Sequence, residues 1–223
     1  MKGILLDIEG TTTPISFVYD VLFPYARAHV SENLAAGDVD ALRLSYEEDL
    51  RNGFSPPVWS EKPVGYVHWL MDQDRKSTPL KNLQGKIWLS GYQQGLLHGE
   101  VFEDVPLALQ RWKNEGMDVR IYSSGSKLAQ QLLFSTTKSG DLTKLLNGYF
   151  DTTTGPKIEA ESYAAISKAY GCEASEILFV SDVVRELDAA RTAGMQTTLC
   201  IRPGNHPQIS GTHRTVSNFQ QIR

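Results

Sequence analysis

Three short runs, each ending in a polar residue, set the strongest limit on how this chain can fold. Ile4-Leu5-Leu6 stops at Asp7, Val119-Arg120-Ile121-Tyr122 stops at Ser123, and Ile177-Leu178-Phe179-Val180 stops at Ser181-Asp182. Short runs of this kind, bounded by turn residues, fit strands covered on both faces, as parallel sheets require. Helical signals lie between them. Asp104-Val105-Pro106 opens a helix with Leu107, Leu109 and Trp112 as packing residues and Gly116 as its end. A second helix runs from about Lys127 to Ser135. A third covers 158–170, with Tyr163, Ile166 and Tyr170 on one face and Gly171 as stop, and a fourth carries Leu187 to Ala193 and stops at Gly194. Tyr149-Phe150 reads as a short strand and Thr197-Thr198-Leu199-Cys200-Ile201 as a last one. Strands alternating with helices predict an α/β fold, a parallel sheet with helices on both faces. Ligands of such open sheets sit at the carboxyl ends of the strands. Asp7, Ser123 and Asp182 are therefore predicted to gather at one edge.

Residues 16–98 break this alternation directly after the first strand. They are helical in character, interrupted at Gly53-Phe54-Ser55-Pro56-Pro57 and Pro63-Val64-Gly65. The expected organisation is a core domain of 1–15 and 99–223 with a helical cap domain, 16–98, able to cover the edge where the polar residues meet. A length of 223 residues suits one medium domain carrying a smaller insert. The chain is 41% hydrophobic and 22% charged, ordinary for a globular protein. A net charge of −4 supplies no basic footprint for nucleic acid. Cys172 and Cys200 are far apart and form no CxxC, which argues against a disulfide or zinc site and fits a reducing cytoplasm. Met1 to Leu6 reach the Asp7 carboxylate too early for a signal peptide, and no apolar run approaches the roughly 18–20 residues of a membrane span. With no oligomerisation segment in view, a monomer is expected.

The chemistry begins at Asp7-Ile8-Glu9-Gly10-Thr11. An ionised carboxylate can attack phosphorus to form an acyl phosphate, and a second one nearby can protonate the leaving oxygen and then activate water. Gly10 lets the backbone turn closely around a ligand. A surface turn rich in acids and threonines would look the same. Ser123-Ser124-Gly125-Ser126 places hydroxyls and amides at a helix start, a natural phosphate cradle, although Ser126 could simply cap the helix. Lys157, after Thr154-Gly155-Pro156, offers a point charge for a phosphoryl group and for a carboxylate nucleophile; alone it would read as a solvated lysine. Asp182 joins Asp7 and Glu9 as hard oxygen donors suited to Mg²⁺, or caps the following helix. Glu186 could share its face, or form an ion pair with Arg185 or another neighbour. Phosphoryl transfer needs little beyond such positioning and charge neutralisation.

In this order the residues resemble the motifs of the haloacid dehalogenase (HAD) superfamily: Asp7 and Glu9, then Ser123, Lys157 and Asp182. The resemblance implies a Rossmann-like parallel sheet with a helical cap inserted after the first motif. One departure from the usual Asp-x-Asp is Glu9, whose extra methylene moves the carboxylate by about 1.5 Å. That departure, with Thr11-Thr12-Thr13-Pro14-Ile15, Leu83-Gln84-Gly85-Lys86-Ile87-Trp88, Gly91-Tyr92 and Ile121-Tyr122-Ser123-Ser124-Gly125-Ser126, is similar to the enolase-phosphatases of methionine salvage, the acireductone synthases. The resemblance implies a small phosphate ester substrate, 2,3-diketo-5-methylthiopentyl-1-phosphate, enolised and then dephosphorylated to 1,2-dihydroxy-3-keto-5-methylthiopentene. It implies Mg²⁺ held by Asp7, Glu9 and Asp182, with phosphate and substrate at Ser123, Ser124, Gly125 and Lys157. From the cap, Lys86 and Trp88 are candidate substrate contacts, and Phe17, Tyr19 or Trp69 could line a slot for the methylthio group. Whether Glu9 is the enolisation base or only a metal ligand stays open at this point. Two other readings compete: a HAD phosphatase for a different ester, and a catalytically silent HAD-like binding domain.

Overall fold

The computed structural model describes residues 1–75 and 77–222. It divides into two compact units, Met1–Val18 together with the chain from His98 onward, and Tyr19–Leu97. After β1 (Gly3–Leu6) a π-helical segment, Phe17–Leu22, leads into the second unit, which contains α1 (Phe23–Ala28), α2 (Val30–Asn33), α3 (Ala36–Arg51), α4 (Val64–Asp72) and α5 (Thr78–Gln93). The first unit resumes with α6 (Asp104–Asn114), β2 (Asp118–Tyr122), α7 (Lys127–Ser135), β3 (Gly148–Phe150) and α8 (Ala160–Tyr170). It closes with β4 (Ile177–Ser181), α9 (Val184–Thr192), β5 (Gln196–Cys200) and β6 (Arg214–Val216).

The sheet order is β3-β2-β1-β4-β5-β6, and every pairing is parallel. β1 is central, with β2 on one side and β4 on the other, so the winding direction reverses beside it. This is the doubly wound order in which ligands bind outside the carboxyl ends at the reversal. It also explains why β1 must be apolar: all of its residues are buried. Leu6 pairs with Ile121 on β2 and Val180 on β4. That register brings the next residues, Asp7, Tyr122 and Ser181, to the same level at the carboxyl edge.

Between the sheet and its helices lies a core that includes Leu5, Tyr122, Tyr163, Phe179, Leu187 and Leu199. Local signals work as the chain suggests at two helix ends. Ser126 caps α7, its hydroxyl accepting from the Ala129 amide at 3.3 Å. Gly171 ends α8 in the left-handed conformation, φ +70°. Elsewhere the structure corrects the reading. α6 buries Val105, Ala108, Leu109 and Trp112, a spacing of three and four, and this turns Leu107 to solvent at 69% exposure. α9 starts at Val184, well before Leu187, α8 starts at Ala160 rather than 158, and Ile201 falls outside β5. β6 is a strand no pattern announced. It is three residues long, at the sheet edge, with Arg214 and Thr215 exposed, so it carries no apolar periodicity.

In the second unit, Leu42, Tyr66, Val67, Leu70, Leu83 and Ile87 form a core among α3, α4 and α5. The buried Asp49 carboxylate at its side accepts from Tyr66 Oη at 2.7 Å and pairs with Arg75. Among the described residues no helix is long and apolar enough to cross a membrane.

Phe179, fully buried at the centre of β4, tests the core directly. Phe179→Ala is expected to cost about 3–5 kcal/mol in urea denaturation. A loss below about 1 kcal/mol would contradict the packing described here.

Candidate active site

Asp7 stands one residue past β1, its backbone amide held by the Val180 carbonyl at 3.0 Å. The chain then turns back on itself. The Ile8 carbonyl accepts the amides of Thr11, Thr12 and Thr13 at 3.1, 2.9 and 2.9 Å, and the Gly10 amide donates to the Thr13 carbonyl at 2.8 Å. Thr12 Oγ1 donates to the Asp7 carbonyl at 3.1 Å. Gly10 sits at φ +70°, and a methyl group on it would collide with the Asp182 carboxylate. Glycine is thus required twice over, by conformation and by the approach of an acid. Glu9 lies on the exposed rim of this turn, in a bridge with Thr13.

The Asp7 carboxylate is buried and multiply held. Lys157 Nζ donates to Oδ1 at 2.6 Å, the Ile8 amide donates to the same oxygen at 2.7 Å, and Ser181 Oγ donates to Oδ2 at 3.1 Å. Lys157 also pairs with Glu186 Oε2 at 2.7 Å, and Ser181 Oγ lies 3.1 Å from that oxygen. Lys157 is only 8% exposed, so it is not a solvated loop lysine. Its segment is fixed by hydroxyls: Tyr163 Oη on the Lys157 carbonyl (2.7 Å), Ser162 Oγ on Pro156 (2.7 Å) and Tyr122 Oη on Gly155 (2.8 Å). Burial pulls the Lys157 pKa down, but Asp7 and Glu186 outweigh it and hold the ammonium above its ordinary value.

Asp182 follows β4 and does not cap α9; the residue at the cap position is Val183, whose side chain makes no cap bond. Burial, then the charges of Asp7 and Glu186, push the Asp182 carboxyl up to about 7. Glu186 is raised in the same sense, by burial first and Asp7 second. Among the described residues, Asp7, Asp182 and Glu186 thus face one ammonium, Lys157, and the spot is short of positive charge. Among the described residues no three His, Cys, Asp or Glu side chains converge into a ready-made metal cage. Mg²⁺ is commonly held by one or two carboxylates together with substrate phosphate and water. A pair of carboxylates beside a charge deficit fits that manner of binding.

At the end of β2, Ser123 is buried and its Oγ accepts from the Gly125 amide at 3.2 Å, which leaves its own proton to donate. Ser124 is exposed. Gln130 Nε2 braces the turn on the Gly125 and Phe150 carbonyls, 2.8 Å each. Helix capping belongs to Ser126, so Ser123 and Ser124 are not needed for it.

Other expected residues lie within the second unit. Lys86 pairs with Asp38. Trp88 donates its indole N–H to the Leu22 carbonyl at 2.9 Å and stacks on Phe23, which meets Tyr19 edge-on. Trp69 stacks on Tyr66. Phe17, in the first unit, is buried. Sequence reasoning missed Ser181 and the partner of Glu186. Ser181 could have been noticed as a hydroxyl ending a fully apolar run; the Glu186–Lys157 pair spans segments that no local pattern connects.

Residues 1–194 match the haloacid dehalogenase-like hydrolase family. Over 98% of this chain and 96% of the relative, the sequence is 48% identical to the enolase-phosphatase E1 of Synechococcus elongatus. It is also 48% identical to that of Pseudomonas fluorescens, over 100% of this chain and 97% of the relative. Among solved structures, the UTR4 protein of Saccharomyces cerevisiae superposes with a TM-score of 0.80 at 35% identity, over 99% of each chain.

The acidic cluster predicts a pH dependence. Asp182 in the folded protein lies near 7 rather than its ordinary 3.8, so between those values the folded chain holds a proton the unfolded one has released. Stability therefore falls as pH rises through that window. With a chelator present, the melting temperature should drop from about pH 5 to about pH 7.5, and the drop should shrink in Asp182→Asn. A wild-type melting temperature that rises over this range would contradict the assignment.

Proposed function

The chain belongs to the haloacid dehalogenase-like hydrolases and, within them, to the enolase-phosphatases, and on that premise we propose that the residues gathered at β1, β2 and β4 carry both of its reactions. The activity is that of an acireductone synthase in methionine salvage: enolisation of 2,3-diketo-5-methylthiopentyl-1-phosphate, then removal of its phosphate. We further place it in the cytoplasm as a monomer acting on this small ester. The observation that carries the residue assignment is the buried contact of Lys157 with Asp7.

Asp7 is the nucleophile. Lys157 and the Ile8 amide fix its carboxylate in one orientation, which removes the rotational cost of attack. A carboxylate oxygen of Asp7 bonds to phosphorus, the bond from phosphorus to the substrate's C1 oxygen breaks, and that oxygen takes a proton from an acid. Water then attacks phosphorus, loses a proton to a base, and releases phosphate and Asp7. Glu9, on the exposed rim, is the group proposed to give and take these protons. Ser123 and Ser124, on the turn at Gly125, hold phosphate oxygens at the start of α7, and Lys157 neutralises them. Enolisation comes first: a base takes a C1 proton, the C–H electron pair forms the C1–C2 double bond, and the adjacent carbonyl oxygen becomes the enolate oxygen. Asp7 and Asp182 would hold Mg²⁺, with Glu9 on the rim as the third proposed donor, and the bound ion would supply positive charge to the phosphoryl and enolate oxygens.

Asp7→Asn is expected to keep part of the enol absorbance while losing phosphate release by at least about a thousandfold. Wild-type phosphate release in that variant would show the nucleophile to be elsewhere. Chelation should stop phosphate release and added Mg²⁺ restore it; full turnover in excess chelator would remove the metal from the account.

A further inference from the structure

The turn that carries Asp7 and Glu9 closes its own amides, and so it must find partners for its carbonyls elsewhere. The Ile8 and Thr13 carbonyls receive the amides of the turn. Those of Gly10, Thr11 and Thr12 receive none from it. Buried carbonyls need donors, and each of these has one from outside. The Thr12 carbonyl accepts from the Phe102 amide at 3.0 Å, the Thr11 carbonyl from Arg202 Nε at 3.1 Å, and the Gly10 carbonyl from Asn205 Nδ2 at 2.9 Å. Arg202 and Asn205 lie on the loop after β5, beyond residue 194, where the match to the hydrolase family ends.

Arg202 is 5% exposed and rigidly held. Its two terminal nitrogens fork onto the Asp104 carboxylate at 2.8 and 3.0 Å, Nη1 also reaches the Ser217 carbonyl at 3.1 Å, and the guanidinium lies against the rings of Phe102 and Phe219. With both ends of the fork engaged, Nε has a fixed direction, toward Thr11. Asn205 directs its amide nitrogen at two carbonyls, Gly10 and, at 3.3 Å, Cys200 at the end of β5. Both acceptors need a donor, which settles the orientation of the amide. Gly10 is therefore tied to the sheet through Asn205 while the Asp182 carboxylate packs against its Cα.

We propose that Arg202 and Asn205 are positioning residues: they clamp the Thr11 and Gly10 carbonyls and so set the place of Asp7 and Glu9 relative to Asp182. The assignment rests on the reading of Asp7, Glu9 and Asp182 as the reacting site. Neither residue touches the Asp7 carboxylate. Their effect passes through the backbone of the turn, so it should move kcat and metal affinity rather than the fit of substrate.

Asn205 gives the sharper test, because buried Arg202 is bound up with Asp104 and its loss would damage folding. Purified full-length Asn205→Ala and Asn205→Asp, which loses the donor at constant size, are compared with wild type and with Asp7→Asn. Phosphate release from the diketo phosphate, Mg²⁺ binding to the substrate-free protein by calorimetry, and melting temperature are measured. The expected result is a fall in kcat of about ten- to a hundredfold with KM changed less than about threefold. Mg²⁺ should bind several-fold more weakly, at a melting temperature within a few degrees of wild type. Arg202→Lys, which keeps a charge for Asp104 but loses the fork, should lower kcat in the same way. Unchanged kcat and Mg²⁺ affinity in both Asn205 variants, with Asp7→Asn inactive in phosphate release, would overturn the clamp and leave the site reading intact. A loss of rate accounted for wholly by unfolded protein would overturn it as well. Full phosphate release by Asp7→Asn would instead remove the site reading on which it stands.

Discussion

The buried acids at the carboxyl edge of the sheet are arranged around a buried ammonium. Lys157 Nζ lies 2.6 Å from Asp7 and 2.7 Å from Glu186. Taking a lysine out of water is costly, and a single carboxylate seldom offsets it. Here two do, and Ser181 Oγ spans their oxygens, 3.1 Å from each. The geometry can be held because the backbone of 155–157 is tied down by Tyr122, Ser162 and Tyr163. Both tyrosines also belong to the core of the first unit. Core packing and site geometry therefore share side chains, and neither can shift without the other.

The central place of β1 follows from the same need. Asp7 must meet Lys157 from the segment before α8 and Ser181 from β4, and the strand order puts β4 beside β1 at the point where winding reverses. An excess of carboxylates collects there, and Asp182 is pushed up to about 7 by partial burial and by the charges of Asp7 and Glu186. Such a cluster is poorly stable in isolation and well matched to a divalent cation and an anionic substrate bound together. Its weakness as structure would suit it to the phosphoryl chemistry proposed for it.

Much of this was legible in the sequence because it was local. Short runs ending in Asp7, Ser123 and Ser181-Asp182 are self-contained, so the strands and the edge they serve could be read from them. Ser126 and Gly171 mark helix ends by their own backbone chemistry. What could not be read is what depends on distant partners. Glu186 finds Lys157, Arg202 finds Thr11, and Asn205 finds Gly10 across long stretches of chain, and none of these residues stands out from its neighbours. β6 escaped because an edge strand of three residues buries too little to show a period. Leu107 was misjudged because its side of α6 is decided by the residues three and four away, not by its own hydrophobicity.

The central claim is that Asp7 itself becomes phosphorylated. An acyl phosphate is reduced by borohydride to an alcohol, whereas a free carboxylate is not, so quenching the enzyme with borohydride during turnover marks the reacting residue. Peptide mass spectrometry should then find homoserine in place of aspartate at position 7, only when substrate and Mg²⁺ are both present. An unmodified Asp7 under turnover, or the same mark at another carboxylate such as Glu9 or Asp182, would contradict the account.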